Sequence, residues 1–352
     1  MNRTAVIYAL ASAVLFGLST PAAKVLLGSV HPVVLAGLFY CGAGCGVALL
    51  RRLGAGSLTN AQATEVALGR RDIPWLAGAI VCGGIIGPLL LMLGLEQTDA
   101  AAASLLLTLE GAATALMAWI VFRENVDIRV GIGMACLVAG VAILSWSGTP
   151  TIGRIVGPLA IVGACIAWGL DNNLTRRVSL SDPLQIVQYK GLVAGPVNVA
   201  LGLWAGSPLP ETSTLLIAMG VGFVGYGISL ALFVLALRDL GSARTSAYFS
   251  TAPFFGAFAA VIALGEPVTV ALVLAGGLMA LGVWLHLTER HEHDHVHDEM
   301  EHAHPHVHDE HHRHEHAASD PPGEPHTHAH RHPRLIHAHP HVPDMHHLHR
   351  HQ

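Results

Sequence analysis

Histidine occupies nearly every second position from His291 to His316, in HEHDHVHDEMEHAHPHVHDEHHRHEH, and acids fill many of the gaps. The pattern echoes itself: HVHDE stands at 295–299 and 306–310, HAHPHV at 302–307 and 337–342. Neutral imidazole is a good ligand for Zn²⁺, Ni²⁺, Co²⁺ and Cu²⁺. In an extended chain residues i and i+2 share a face, whereas a helix puts them on nearly opposite faces. H-x-H therefore presents neighbouring imidazoles on one side of a non-helical segment. The candidate metal ligands are His291, His293, His295, His297, His302, His304, His306, His308, His311, His312, His314 and His316. Asp294, Asp298, Asp309 and Glu310 add charge or oxygen donors. No closed Cys/His site stands out, so the ligand sets are degenerate, which predicts modest affinity and several ions per tail. Binding should weaken in acid, because histidines with a pKa of about 6.5 must first lose their protons.

A second, sparser set of polar residues lies in apolar surroundings. Glu110 stands in LTLEGAATALMAW, and Lys190 in QIVQYKGLVAGPVN with Asn198 eight residues on. Asp171 and Asn172, followed by Asn173, stand in AWGLDNNLTR, and Tyr248 in RTSAYFS. A charge at the centre of a membrane helix costs about 2.5–3.5 kcal/mol on insertion scales, so such a residue faces protein or water. Two roles stay open for each: a structural hydrogen bond or ion pair, or the lining of a solute path. Glu110 is the candidate proton or cation site. Lys190 lies near enough to a helix end to snorkel, or Asp171 neutralises it. Asp171, Asn172, Asn198 and Tyr248 are candidate lining.

The elements that hold these residues follow from composition. Of the 352 residues, 52% are hydrophobic and 12% charged, about half the charge of a soluble domain. From Glu289 onward lie 23 of the 25 histidines and 12 of the 24 acids, with only 5 bases. The chain is thus a greasy body and a polar, net acidic tail. The tail has too few apolar residues to bury a core and is expected to be disordered. Spanning a bilayer takes about 20 mostly apolar residues. Ten such runs appear: Ala5–Leu27, Pro32–Leu50, Ile73–Leu93, Ala100–Phe122, Arg129–Trp146, Ile155–Leu174, Leu184–Ala205, Thr214–Leu237, Ser242–Leu264 and Val268–Leu287. The expected fold class is an all-α integral membrane protein.

With the N-terminus in the cytoplasm, eleven arginines fall at or near cytoplasmic ends, and only Lys24 and Arg154 fall on the far side. That bias places the tail in the cytoplasm too. The N-terminus imitates a signal peptide, but it has a counterpart later in the chain, so cleavage is not expected. The five cysteines all lie in apolar runs and are expected to be packing residues.

The body repeats. LFGLSTPAAK at 15–24 matches AWGLDNNLTR at 167–176, pairing Lys24 with Arg176. VFRENV around Glu124 matches ALGEPV around Glu266, and Leu95 matches Leu237 at the same offset. Residues 1–147 and 148–288 are therefore expected to be two five-helix units. Five is odd, so the copies should insert in opposite orientations, as in many secondary transporters. The tail, 289–352, is a third unit.

This five-plus-five arrangement, with short loops and a Glu closing helices four and nine, resembles the EamA-type transporters of the drug/metabolite transporter superfamily. YFSTAPFFGAFAAVIALGEP in helix nine fits that pattern, Pro253 included; helix four departs from it with Gly111 where proline is usual. The resemblance implies ten helices around a central cavity, alternating access without ATP, a bacterial plasma-membrane location, and dimer packing through helices five and ten. It implies no particular solute. No Walker loop and no nucleophile–His–acid set occurs in the spans, so neither ATP-driven pumping nor enzymatic activity is expected, and no cofactor is required. The acidic tail does not favour nucleic acid.

Three functions remain in play. The first is a secondary transporter of a small solute with a metal-binding regulatory tail. The second is a Ni/Co/Zn exporter whose tail collects or senses the metal. The third is a membrane-tethered metal store. A tether needs one helix, which counts against the third. The spans hold no Cys/His cluster fit for a bare metal, which counts against the second.

Overall fold

The computed structural model describes residues 3–53, 72–122, 128–145, 152–176, 178 and 183–288 of the body. In the tail it describes residues 291–297, 300–306, 326–332 and 335–341. The body is helical. Its elements are α1 (Arg3–Leu26), α2 (Pro32–Arg52), α3 (Ile73–Ala79), α4 (Gly87–Glu96), α5 (Ala100–Leu106), α6 (Leu109–Phe122) and α7 (Ile128–Ser145). There follow α8 (Ile152–Arg176), α9 (Pro183–Trp204), α10 (Thr212–Gly222), α11 (Ser229–Phe249), α12 (Ala252–Leu264) and α13 (Val270–Leu287). Two π-helical turns join neighbours end to end: Ile80–Ile86 between α3 and α4, and Phe223–Ile228 between α10 and α11.

Five helical stretches are long and apolar enough to cross a membrane: Arg3–Leu26, Pro32–Arg52, Ile73–Glu96, Ile155–Thr175 and Thr212–Ala236. Shorter apolar helices accompany them. The outside of the bundle is greasy, with Ile7, Val138, Leu159, Phe258, Ile262 and Val273 exposed, while Ser12, Asp171, Asn173, Asn198 and Ser229 are buried. Apolar outside and polar inside is the arrangement that lipid, rather than water, stabilises.

Helices from the two sequence halves, expected as two copies, interleave. The first helix of the first copy, α1, packs on α11 and α12 of the second; the first helix of the second copy, α8, packs on α4 and α6 of the first. α2 packs on α9, and α7 on α13. Glycines allow the closest approach: a Cβ on Gly191 of α9 would meet the backbone of Gly44 on α2. The π turns stand at matching places too, at the offset that relates Leu95 to Leu237.

Two boundaries differ from the expected runs. The fourth run breaks at Leu107–Thr108, between α5 and α6, without a proline. The expected break between Leu237 and Ser242 is absent: α11 continues to Phe249, and the chain turns at Ser250–Thr251 instead. Pro253 explains the later break, since it supplies no N–H to continue the helix. Nothing between Arg238 and Ser242 is a stronger interruption than Gly241, which costs about 1 kcal/mol in a helix. Both breaks carry the same device. Thr108 Oγ1 donates to Leu105 O at 2.8 Å, and Thr251 Oγ1 donates to Tyr248 O at 2.6 Å.

One corner, between α4 and α5, is held by charges from both copies. Lys24 Nζ, on α1, donates to Leu95 O at 2.6 Å, Glu96 O at 3.2 Å and Thr98 O at 2.7 Å. Glu266, just beyond α12, accepts from Ala100 N and Ala101 N, both at 2.7 Å. Gly265 makes this reach: at φ 67° it ends α12 in the left-handed conformation that glycine adopts without strain. Glu124, the sequence counterpart of Glu266, lies outside the described residues.

The tail was expected to be disordered, but its described segments form strands. β1 (His291–His297) pairs antiparallel with β4 (Leu335–His341), and β2 (Met300–His306) with β3 (His326–His332). The register sets histidine opposite histidine at His291/His341, His293/His339, His295/His337, His302/His330, His304/His328 and His306/His326. The cause is the period of two, which suits a ladder better than a helix. His308, His311, His312, His314 and His316 lie outside the described residues.

Candidate functional site

Pro88 sets up the site. It has no N–H, so the carbonyl four residues back, Gly84, loses its helical donor. In the π turn before it the Gly87 N–H reaches Cys82 O rather than Gly83 O, which frees a second carbonyl. Side chains from three other helices take the freed carbonyls. Gly83 O accepts from the Tyr40 hydroxyl at 2.6 Å and from Trp168 Nε1 at 3.0 Å. Gly84 O accepts from Asn198 Nδ2 at 2.9 Å. Turns of this kind occur often at functional sites.

Against this turn lies an ion pair. Lys190 Nζ, on α9, meets both carboxylate oxygens of Asp171, on α8, at 2.7 and 2.6 Å. Their side chains are 15% and 8% exposed, so Lys190 does not snorkel: Asp171 neutralises it. Thr175 Oγ1 adds a bond to Asp171 Oδ1 at 2.9 Å. The Asp171 carboxylate occupies the space where a Cβ on Gly83 would stand. Gly83→Ala is therefore expected to displace the pair and cost about 1–3 kcal/mol, the usual range for overpacking. Chemical denaturation of the purified protein checks this. A Gly220→Ala control should lose far less, because a Cβ there meets nothing.

The next residue on α8 reaches toward α6 instead of α9. Asn172 Nδ2 donates to Glu110 Oε1 at 3.1 Å and contacts Thr114 Oγ1 at 3.1 Å. Asn173 Nδ2 donates to Gly169 O and to Thr114 O. Glu110 sits in the first turn of α6, just past the Leu107–Thr108 break, where its N–H takes Leu107 O at 3.1 Å. The Asp171–Asn172 step thus joins two carboxylates, one held by an ammonium and the other by a neutral amide. A carboxyl group held by an amide can take a proton or a cation and give it back.

Five of the six candidate residues meet here: Glu110, Asp171, Asn172, Lys190 and Asn198. Tyr248 does not. It is half-buried against Ala5, Ala9 and Ala236, beside Val6 and Tyr8. Sequence reasoning missed Tyr40, Trp168, Thr114 and Thr175. It also missed Tyr226 in the second π turn, whose ring lies 5.8 Å from Tyr40 and 5.5 Å from Phe16. The available signal was GGIIGP, where glycine carbonyls stand four and five residues before a proline.

Polar side chains of α6, α8 and α9 thus gather among apolar helices, with Asp171 and Asn198 buried, Glu110 and Lys190 partly buried and Asn172 exposed. The chain belongs to the EamA-like transporter family, of the drug/metabolite transporter superfamily; the family matches residues 3–146 and again 155–288. An uncharacterized transporter of Methanothermobacter thermautotrophicus is 29% identical over 284 residues, covering 77% of this chain and 82% of that protein. The uncharacterized transporter YyaM of Bacillus subtilis is 24% identical over 213 residues, or 57% of this chain and 70% of its own. A solved crystal structure at 18% identity covers 81% of this chain and 96% of its own, with a TM-score of 0.58. At that identity it speaks for the fold alone.

Proposed function

We propose that this protein is a secondary transporter of a small solute across the cytoplasmic membrane, with a metal-binding regulatory tail. Ten spans in two inverted five-helix halves work by alternating access, without ATP and without a required cofactor, and both termini lie in the cytoplasm. The reciprocal packing of α1 and α8 supports the relation between the halves. The observation that carries the function is the Asp171–Lys190 pair on one residue of α8, with Glu110 held by the next residue, Asn172. Ionisable groups at such depth are expensive and are kept where they couple to a solute or a proton. Glu110 is the proton or cation site, and Asp171, Asn172, Lys190 and Asn198 line the path. The exposed sides of α7 and α13 offer a surface for a homodimer. The partners are the solute and the bilayer, not nucleic acid.

The tail binds Zn²⁺, Ni²⁺, Co²⁺ or Cu²⁺ through its H-x-H repeats, and the His-on-His registers support this. Stopping the chain after Thr288 should abolish high-capacity metal binding in equilibrium dialysis and leave metal-free transport in place. An alternative is export of Ni²⁺, Co²⁺ or Zn²⁺, with the tail as collector; a tethered metal store is a weaker one. Uptake of these ions into inside-out vesicles separates them. The proposal expects only what the tail itself binds. Accumulation that depends on Glu110 and weakens without the tail would make the protein a metal exporter.

A further inference from the structure

We propose that Lys24 and Glu266 form a latch that shuts the end of the bundle opposite the tail, and that opening this end requires its release. The purpose of the latch rests on the transport function proposed above. Its position follows from the helices alone: α1 ends near Lys24 and α13 starts just after Glu266. Both chain termini therefore lie at the other end.

The two charges do not pair with each other. Each grips the backbone of the same corner, Lys24 on three carbonyls and Glu266 on two N–H groups. These are groups that a helix end leaves without a partner, and bonds to ionised groups are roughly twice as strong as neutral ones. Gly94 and Gly157 bring α4 and α8 together, with Ile161 seated on Gly94 and with Gln97 and Thr98 on Gly157. Thr98 Oγ1, at the same corner, is buried without a partner. That packing is non-directional, and the directional hold that α1 and the end of α12 exert on this corner lies in the five bonds to Lys24 and Glu266. Glu266 ties the end of α12 to this corner, and Lys24 ties α1, which packs on α11 and α12, so a movement of α1 and α12 together away from the α4–α5 corner strains all five bonds. The breaks at Leu107–Thr108 and Ser250–Thr251 lie beyond α5 and before α12, where those helices can tilt.

The test uses Cys165, a buried thiol that donates to Leu106 O at 3.6 Å beside the first break. Sealed vesicles bearing the full chain are treated with a membrane-impermeant maleimide from one side or the other. Labelling is read peptide by peptide. Protease access to the tail independently fixes which side is which, and no solute is needed. Glu266→Gln and Lys24→Met are each expected to raise Cys165 labelling from the side opposite the tail by about tenfold, which corresponds to about 1.4 kcal/mol. Amide exchange in 133–144 should not change. Two results would overturn the latch. One is faster exchange at Ala100 and Ala101 with Cys165 labelling unchanged, which would make Glu266 a simple helix cap. The other is a parallel rise at all five cysteines, which would mean general loosening.

Discussion

The Lys190→Met protein should lose about 3–5 kcal/mol of stability, because Asp171 is then left buried without its counter-charge. Asp171→Asn should cost a similar amount by stranding the ammonium. The double variant should recover most of that loss, since replacing both members of a buried pair is often close to neutral. Transport should not recover with it. Thermal or chemical unfolding of the four proteins checks the stability cycle, and flux checks the function. Recovery of both would reduce the pair to a structural tie between α8 and α9. Loss of stability that the double variant does not repair would mean that Thr175 or the Gly83 contact, rather than the ion pair, holds this face of α8.

Glu110→Gln should separate fold from coupling. Glutamine keeps an oxygen for the Asn172 amide, so the bond between α6 and α8 survives and unfolding should change little. It cannot take up or release a proton. Accumulation driven by a pH gradient should therefore disappear, while exchange of solute down its own gradient continues. A purely structural role for Glu110 would leave both in place. An unaltered pH-driven accumulation would move the coupling site elsewhere, with Asp171 the first place to look.

Much of the body was legible because lipid imposes a simple rule: apolar runs of spanning length, charges at the ends, and rare polar residues within. Glu110, Asp171, Asn172, Lys190 and Asn198 stood out because charge and amide are costly there. Their partners did not, because Tyr40, Trp168 and Thr114 are ordinary residues in apolar helices, and the groups they meet are backbone carbonyls. A π turn has no composition of its own; only the glycine-to-proline spacing before Pro88 hinted at it. Tyr248 lies apart from them for the opposite reason. Its type and company looked like lining, but its side of α11 turns toward Ala5 and Ala9. The uninterrupted run of α11 past Arg238 was hidden because polar residues usually mark a loop, yet they do not stop a helix as proline does. In the tail, composition argued for disorder, while the period of two favoured pairing of the described strands.

The most direct test of the account is solute accumulation by inside-out vesicles given a carbon-13-labelled small-molecule extract of cells under a pH gradient. Vesicles with the full chain, with Glu110→Gln, and with the chain stopped after Thr288 are compared by mass spectrometry. The account predicts at least one labelled solute that accumulates with the full chain, fails to accumulate with Glu110→Gln, and still accumulates without the tail but no longer responds to added Zn²⁺. Equal solute content in full-chain and Glu110→Gln vesicles, with body-dependent uptake of Zn²⁺, Ni²⁺ or Co²⁺ instead, would contradict it.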